Sequence, residues 1–145
     1  LVSTHRAKEM FEKRFTDKII IETNSTVAEM VKYTANTFLA TKVSYANEIK
    51  QICDKLNISF DKVVEYATLD SRLGNTHWAV PGPDGHAGFG GSCFPKDINA
   101  MIHFMEQKGL QPKILKAVWN KNLDVRPEKD WENLIGRAVT KGDKK

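Results

Sequence analysis

Thr26-Val27-Ala28-Glu29-Met30-Val31-Lys32-Tyr33-Thr34-Ala35-Asn36-Thr37-Phe38-Leu39-Ala40 opens a run that continues to Leu56 without a proline or a glycine. Val27, Met30, Val31, Thr34, Phe38, Val43, Ala46, Ile49, Cys53 and Leu56 keep helical spacing along it. Thr26 and Glu29 are spaced as a capping box, so the run reads as one helix from about Thr26 to Leu56. Such a helix is about 45 Å long. That is more than one small domain can bury, and part of the rod is expected to pack on a second copy or another domain.

Outward from this helix the pattern stays helical. Upstream, a helical pattern runs from about His5 to Phe15, and the β-branched run Asp17-Lys18-Ile19-Ile20-Ile21-Glu22 reads as a short strand. Downstream, Ser59 is placed to cap a short helix ending at Ala67, and residues 70–91 form a long loop rich in glycine, proline and asparagine. Helices resume over Pro95–Lys108 and from Pro112 to about Leu123, with Gly109 as the stop between them. A weaker helical pattern covers Glu128–Val139 around Trp131, Leu134 and Ile135. The expected fold class is all-α, mainly helical, with one short N-terminal strand.

Composition narrows the partners. The net charge is +4, but the lysines are interleaved with acidic residues, and the one dense run, Lys141 to Lys145, contains Asp143. This suits a small anionic ligand at least as well as a nucleic acid, which is not expected as a partner. Two cysteines, no secretory or transit signal and no long apolar span point to a reducing, cytoplasmic setting without membrane attachment. His77, His86, Cys93 and His103 match no compact ligand spacing, so no metal is expected.

The chemistry-bearing segment is Gly88-Phe89-Gly90-Gly91-Ser92-Cys93-Phe94-Pro95-Lys96-Asp97. It sets a cysteine where a glycine loop turns into a helix, with Pro95 in the first turn, where its missing N–H costs nothing. The helix N-terminus and the Lys96 cation both favour thiolate over thiol. Asp97, at i+4 from Cys93, shares its face and can move a proton or order a water. Gly90 and Gly91 would let a substrate approach the backbone closely. The spacing Gly88-x-Gly90-x-x-Cys93 is not a dinucleotide fingerprint, because its third glycine is missing and turns rather than a strand precede it. Lys32 and Asn36, four apart on the long helix, share one face.

Gly88 to Asp97 resembles the cysteine motif of the UDP-glucose/GDP-mannose dehydrogenase family, nucleotide-sugar 6-dehydrogenases that use NAD. Ala28 to Ala40 resembles that family's central-domain helix, and Leu69-Asp70-Ser71-Arg72-Leu73-Gly74 resembles its loop with a substrate-contacting arginine. The three motifs fall in the family's order over roughly residues 25–125. The resemblance implies a four-electron oxidation of a sugar C6 alcohol to a carboxylate. Cys93 would form a thiohemiacetal and then a thioester, with Lys32, Asn36 and Asp97 as the other catalytic residues. It implies substrate contacts from Arg72, Phe89, Gly90, Gly91 and Phe94, with Arg72 reaching a site on a neighbouring subunit of a homodimer. Phe89 and Phe94 could equally be core anchors. No clean counterpart of the family's substrate-binding lysine occurs between residues 76 and 88.

The implied organisation is the end of an upstream NAD-binding domain over residues 1–24, a helical central domain over 25–125, and a C-terminal segment or linker over 126–145. NAD would be bound mainly by a domain absent from this chain, which reads as a fragment. Two other readings use the same long helix. One is a non-catalytic helical dimerisation module with a vestigial cysteine loop. The other is the helical domain of a 6-phosphogluconate-dehydrogenase-like reductase, which has no use for Cys93.

Overall fold

Apolar residues at helical spacing become five α-helices in the computed structural model, which describes residues 2–137. These are α1 (Val2–Arg14), α2 (Ser25–Lys55), α3 (Phe60–Ala67), α4 (Cys93–Gln107) and α5 (Lys113–Val125). Short 3-10 turns occupy Ser71–Leu73 and Asp130–Asn133. The fold is all-α, and no strand occurs among the described residues. Packing divides the chain into two units that meet between Lys32 and Tyr33, within α2.

In the first unit, α1 is followed by an irregular segment. The strand expected over residues 17–22 is absent: residues 19–24 carry no regular structure, and Ile19 and Ile21 are exposed. A β-branched run becomes a strand only when a neighbour takes its alternating N–H and C=O groups, and no described segment does so. The cap of α2 also differs from the expected box. Asn24 Oδ1 accepts the Val27 N–H at 2.9 Å, so the helix starts one residue early.

The second unit is built on the rest of α2, which buries Thr37, Ala40, Ser44, Ala46, Asn47 and Cys53 along one face. Two apolar clusters lie against that face. One joins Ala40 and Val43 to Phe89, Phe94, Ile98, Ile102, Leu115, Val118 and Trp119, so α2, the glycine loop, α4 and α5 share it. The other joins Ala46, Ile49 and Cys53 to Phe60, Val63, Val64, Trp78 and Val80. Ser59 accepts the Lys62 N–H and caps α3 as expected. Gly109, at φ +75°, closes α4 in the left-handed conformation that only glycine adopts freely.

The weak helix expected over Glu128–Val139 is a correction. Lys129 and Gly136 both take positive φ, which a right-handed helix cannot accommodate, and only the 3-10 turn at Asp130–Asn133 forms between them. Trp131 is nevertheless buried and meets the Trp119 ring at 5.3 Å. Residues 138 and 139 lie outside the described residues.

Candidate active site

Cys93 is the first residue of α4 and its thiol is exposed, whereas Cys53 is buried on α2 at 2% exposure. Ser92 occupies the cap position of α4 but its side chain accepts no hydrogen bond from the first turn. Its hydroxyl lies instead 3.9 Å from Cys93 Sγ. The first-turn N–H groups therefore keep their hydrogen-bonding capacity beside the thiol, where they can stabilise negative charge.

One turn on, Asp97 is fully buried, and its carboxylate is bound from two sides. Asn36 Nδ2 donates to Oδ2 at 2.6 Å, and the Lys96 ammonium is paired with Oδ1. The bond to Asp97 raises the Lys96 pKa; desolvation opposes this, and the nearby Tyr33 and Cys93 add to the rise. Lys96 is thus held as a cation at neutral pH and is a charge partner rather than a proton acceptor. The structure brings Cys93, Asp97, Lys96 and Asn36 together from two helices 61 residues apart in sequence, measured from Asn36 to Asp97. Lys32, one turn before Asn36, is the last residue of the first unit and is exposed.

The glycine loop that delivers Cys93 is gripped from beneath by buried polar side chains that sequence reading missed. Asn122, on α5 and fully buried, accepts the Phe89 N–H at 2.7 Å and donates to the Phe89 carbonyl at 2.9 Å, as a neighbouring strand would. Asn47, on α2, accepts the Gly88 N–H at 3.2 Å. Arg126, 2% exposed, pairs with Asp84 at 2.9 Å and Asp130 at 2.7 Å, and Asp130 Oδ2 lies 3.5 Å from the Gly91 N–H. Burial opposes the Arg126 charge, but the two carboxylates outweigh it and its pKa is raised. One signal pointed this way: Asn47 and Asn122 interrupt apolar helix faces, where a polar side chain needs a partner.

The glycines serve different ends. Gly88 combines φ +68° with no room for a side chain, since a Cβ would collide with Asn122 Oδ1. Gly91 has φ +67° and open space around it. Phe89 is a core residue whose ring meets Phe94 edge-on at 6.0 Å, so of that pair only Phe94 is partly exposed. Because Asn122 and Arg126 fill the space beside Gly88 and Gly90, and no strand precedes them, these residues do not fit a dinucleotide.

Arg72 sits elsewhere in the second unit, in the 3-10 turn, with its side chain 87% exposed and paired with Asp70 at 2.5 Å. Lys42 anchors the base of that turn by donating to the carbonyls of Leu73 at 2.8 Å and Gly74 at 3.1 Å, 4.9 Å above the Trp78 ring. Burial lowers the Lys42 pKa. Among the described residues, no group of three or more His, Cys, Asp or Glu side chains is placed to hold a metal ion.

A family model described as "UDP-glucose/GDP-mannose dehydrogenase family, central domain" matches residues 26–124. The chain belongs to this family. A UDP-glucose 6-dehydrogenase of Bacillus subtilis is 38% identical over 121 residues, covering 83% of this chain and 24% of that protein. The Rickettsia felis UDP-glucose 6-dehydrogenase is 35% identical over 144 residues, covering 96% of this chain and 30% of that one. A solved UDP-glucose dehydrogenase from the hyperthermophilic archaeon Pyrobaculum islandicum superposes with a TM-score of 0.68 at 37% identity, over 81% of this chain and 27% of that one. The chain thus spans about a quarter to a third of the length of these UDP-glucose/GDP-mannose dehydrogenase relatives. Arg126 and Asp130, which help hold the cysteine loop, lie past the span that the family model matches.

Proposed function

We propose that this chain is the central catalytic and dimerisation domain of an NAD-dependent nucleotide-sugar 6-dehydrogenase acting on UDP-glucose or a close analogue. The observation that carries the reading is the exposed Cys93 thiol at the start of α4, one turn from a buried carboxylate held by Asn36 and Lys96. A vestigial loop in a pure dimerisation module would have no reason to keep that thiol outside the core. The names of the relatives favour a uridine-diphosphate sugar.

Two molecules of NAD, each accepting one hydride, would supply the four-electron oxidation and would be bound outside the described residues. The steps assigned to this chain are the others. Cys93 Sγ adds to the C6 aldehyde carbon, and the carbonyl oxygen takes a proton to give a thiohemiacetal. After oxidation at that carbon, water attacks the thioester, the carbon–sulfur bond breaks, and the carboxylate and thiolate separate. Asp97 orders the water, while Asn36 and Lys32 stabilise charge on the C6 oxygen. Gly91 and Phe94 offer the open surface beside the thiol, and Arg72 reaches a substrate held mainly by a partner subunit.

The exposed Phe38, Tyr45 and Ile52, at seven-residue intervals on α2, form the stripe proposed to pair two copies. Burying such a stripe contributes roughly 25 cal/mol per Å². The deciding experiment is a chimera in which residues 26–124 of this chain replace the matching segment of the Bacillus subtilis relative. It should convert UDP-glucose to the carboxylate with NAD, and Cys93→Ala should stop carboxylate formation. A folded chimera that binds both ligands and makes no carboxylate with Cys93 present would overturn the reading.

A further inference from the structure

Cys93 is delivered by a loop, and one buried cation lies against the backbone of that loop at Gly90. Gly90 does not have the positive φ of its neighbours Gly88 and Gly91, so its backbone does not require a glycine. What excludes a side chain there is Arg126. A Cβ on Gly90 would overlap Cζ and Nη2 and stand 2.8 Å from Nε, so the guanidinium occupies the place of a side chain at position 90. The guanidinium is itself fixed at two ends, by Asp130 through Nε and by Asp84 through Nη1, with Ala87 O at 3.4 Å from Nη1. Asp130 also faces the Gly91 N–H, which joins the clamp to the residue two positions before the thiol.

We infer that Arg126 is the positioning residue of the cysteine loop: its guanidinium, held by Asp84 and Asp130 against the bare backbone of Gly90, fixes the path by which Cys93 enters α4. This rests on the reading of Cys93 as the nucleophile. It adds to that reading a residue beyond the family-matched span that touches neither the substrate nor the reacting atoms. A planar fork held by two carboxylates can lie flat on a peptide, which a lysine ammonium cannot.

The test uses the full chain and iodoacetamide, and needs neither sugar nor cofactor, so its outcome is separate from that of the chimera. Gly90→Ala should slow Cys93 alkylation several-fold, because the new methyl must push the loop off the guanidinium. Arg126→Ala should slow alkylation as well, and adding it to Gly90→Ala should slow the reaction no further, because both changes break the same contact. Two independent destabilising changes would add, whereas residues in contact couple. Cys53 labelling reports the fold in each variant. If Gly90→Ala exposes Cys53, an exposure in the double variant that is no greater supports the inference equally. An unchanged rate in Gly90→Ala, or additive losses in the double variant, would overturn it.

Discussion

The two loops that carry the proposed chemistry are held in opposite ways. The cysteine loop is fastened from the inside: Asn47, Asn122 and Arg126, all buried, bind its backbone, and its Phe89 is part of the core. The Arg72 turn is fastened only at its base, by Lys42 on two carbonyls, and presents its arginine to the surroundings. Groups that form and break covalent bonds must be fixed to within a fraction of an ångström, and a buried polar framework supplies that. An arginine that meets a substrate on another subunit gains nothing from such fixing within its own chain.

Breaking the inner framework should therefore give the largest effect. Asn122→Ala leaves the Phe89 N–H and carbonyl without partners in a fully buried site, and should cost about 2–4 kcal/mol in urea unfolding followed by circular dichroism. A loss no larger than that of an ordinary surface substitution would remove Asn122 from the framework that holds the loop. The base of the other loop comes next. Lys42→Met keeps the apolar stem but removes two hydrogen bonds and the Trp78 contact, for an expected cost of about 1 kcal/mol. It should leave Cys93 alkylation unchanged, and a slower reaction would mean that the two loops are mechanically joined.

Labelling gives a sharper contrast between the two thiols. Iodoacetamide at neutral pH should modify Cys93 before Cys53, because one thiol is exposed at a helix start and the other is packed against Phe60. Mass spectrometry of tryptic peptides reads the order directly, and earlier labelling of Cys53 in the folded chain would remove Cys93 from its proposed role.

What could be read from the sequence and what could not divide along the same line. Residues 26–55 were legible as helix because 31 residues of α2 contain no breaker and their burial is periodic. Cys93 and Asp97 could be paired by their spacing of four residues, whereas Asn36 was tied to them only through the family resemblance. The framework was not legible. Asn122 lies 33 residues from Phe89 and Asn47 lies 41 from Gly88, and only the folded chain shows which backbone groups they serve. Arg126, followed by Pro127, looks like nothing more than a helix end. Over residues 128–137, Trp131, Leu134 and Ile135 suggested helical spacing, but the left-handed backbone at Lys129 and Gly136 overrode it.

Acid should loosen the inner framework through the Arg126 carboxylates. Burial raises the pKa of both Asp84 and Asp130, but their hydrogen bonds, to the His86 N–H and Arg126 for Asp84 and to Arg126 for Asp130, outweigh it, and both are lowered in the fold. Depressed carboxylates contribute stability that is fully present above their unfolded value of about 3.9 and is lost as pH falls through the lower folded value. Asp130→Asn should therefore melt below the unaltered chain at neutral pH, with the gap closing only below about pH 4. Both side chains are 40–46% exposed, so the gap is expected to be small. A gap that persists in acid would mean that shape, not charge, is what Asp130 contributes.

The smallest effect on the isolated chain is expected at Arg72, although its proposed part in substrate binding is large. Its guanidinium donates to Asp70 through Nε at 2.9 Å and Nη2 at 2.5 Å, and the pair faces solvent, where screening and lost side-chain freedom cancel most of the attraction. The turn itself does not depend on that pair, because Lys42 holds the carbonyls of Leu73 and Gly74, and Trp78 Nε1 donates to Gly74 O at 2.9 Å. Arg72→Ala should leave the melting temperature and the rate of Cys93 alkylation unchanged in the chain. In the chimera the same substitution should weaken UDP-glucose binding, because the role proposed for the arginine there is to meet the pyrophosphate or sugar hydroxyls of a substrate on the partner subunit. A drop in melting temperature would place Arg72 in the framework of its own chain. Unaltered sugar binding in a dimeric chimera would remove it from the site altogether.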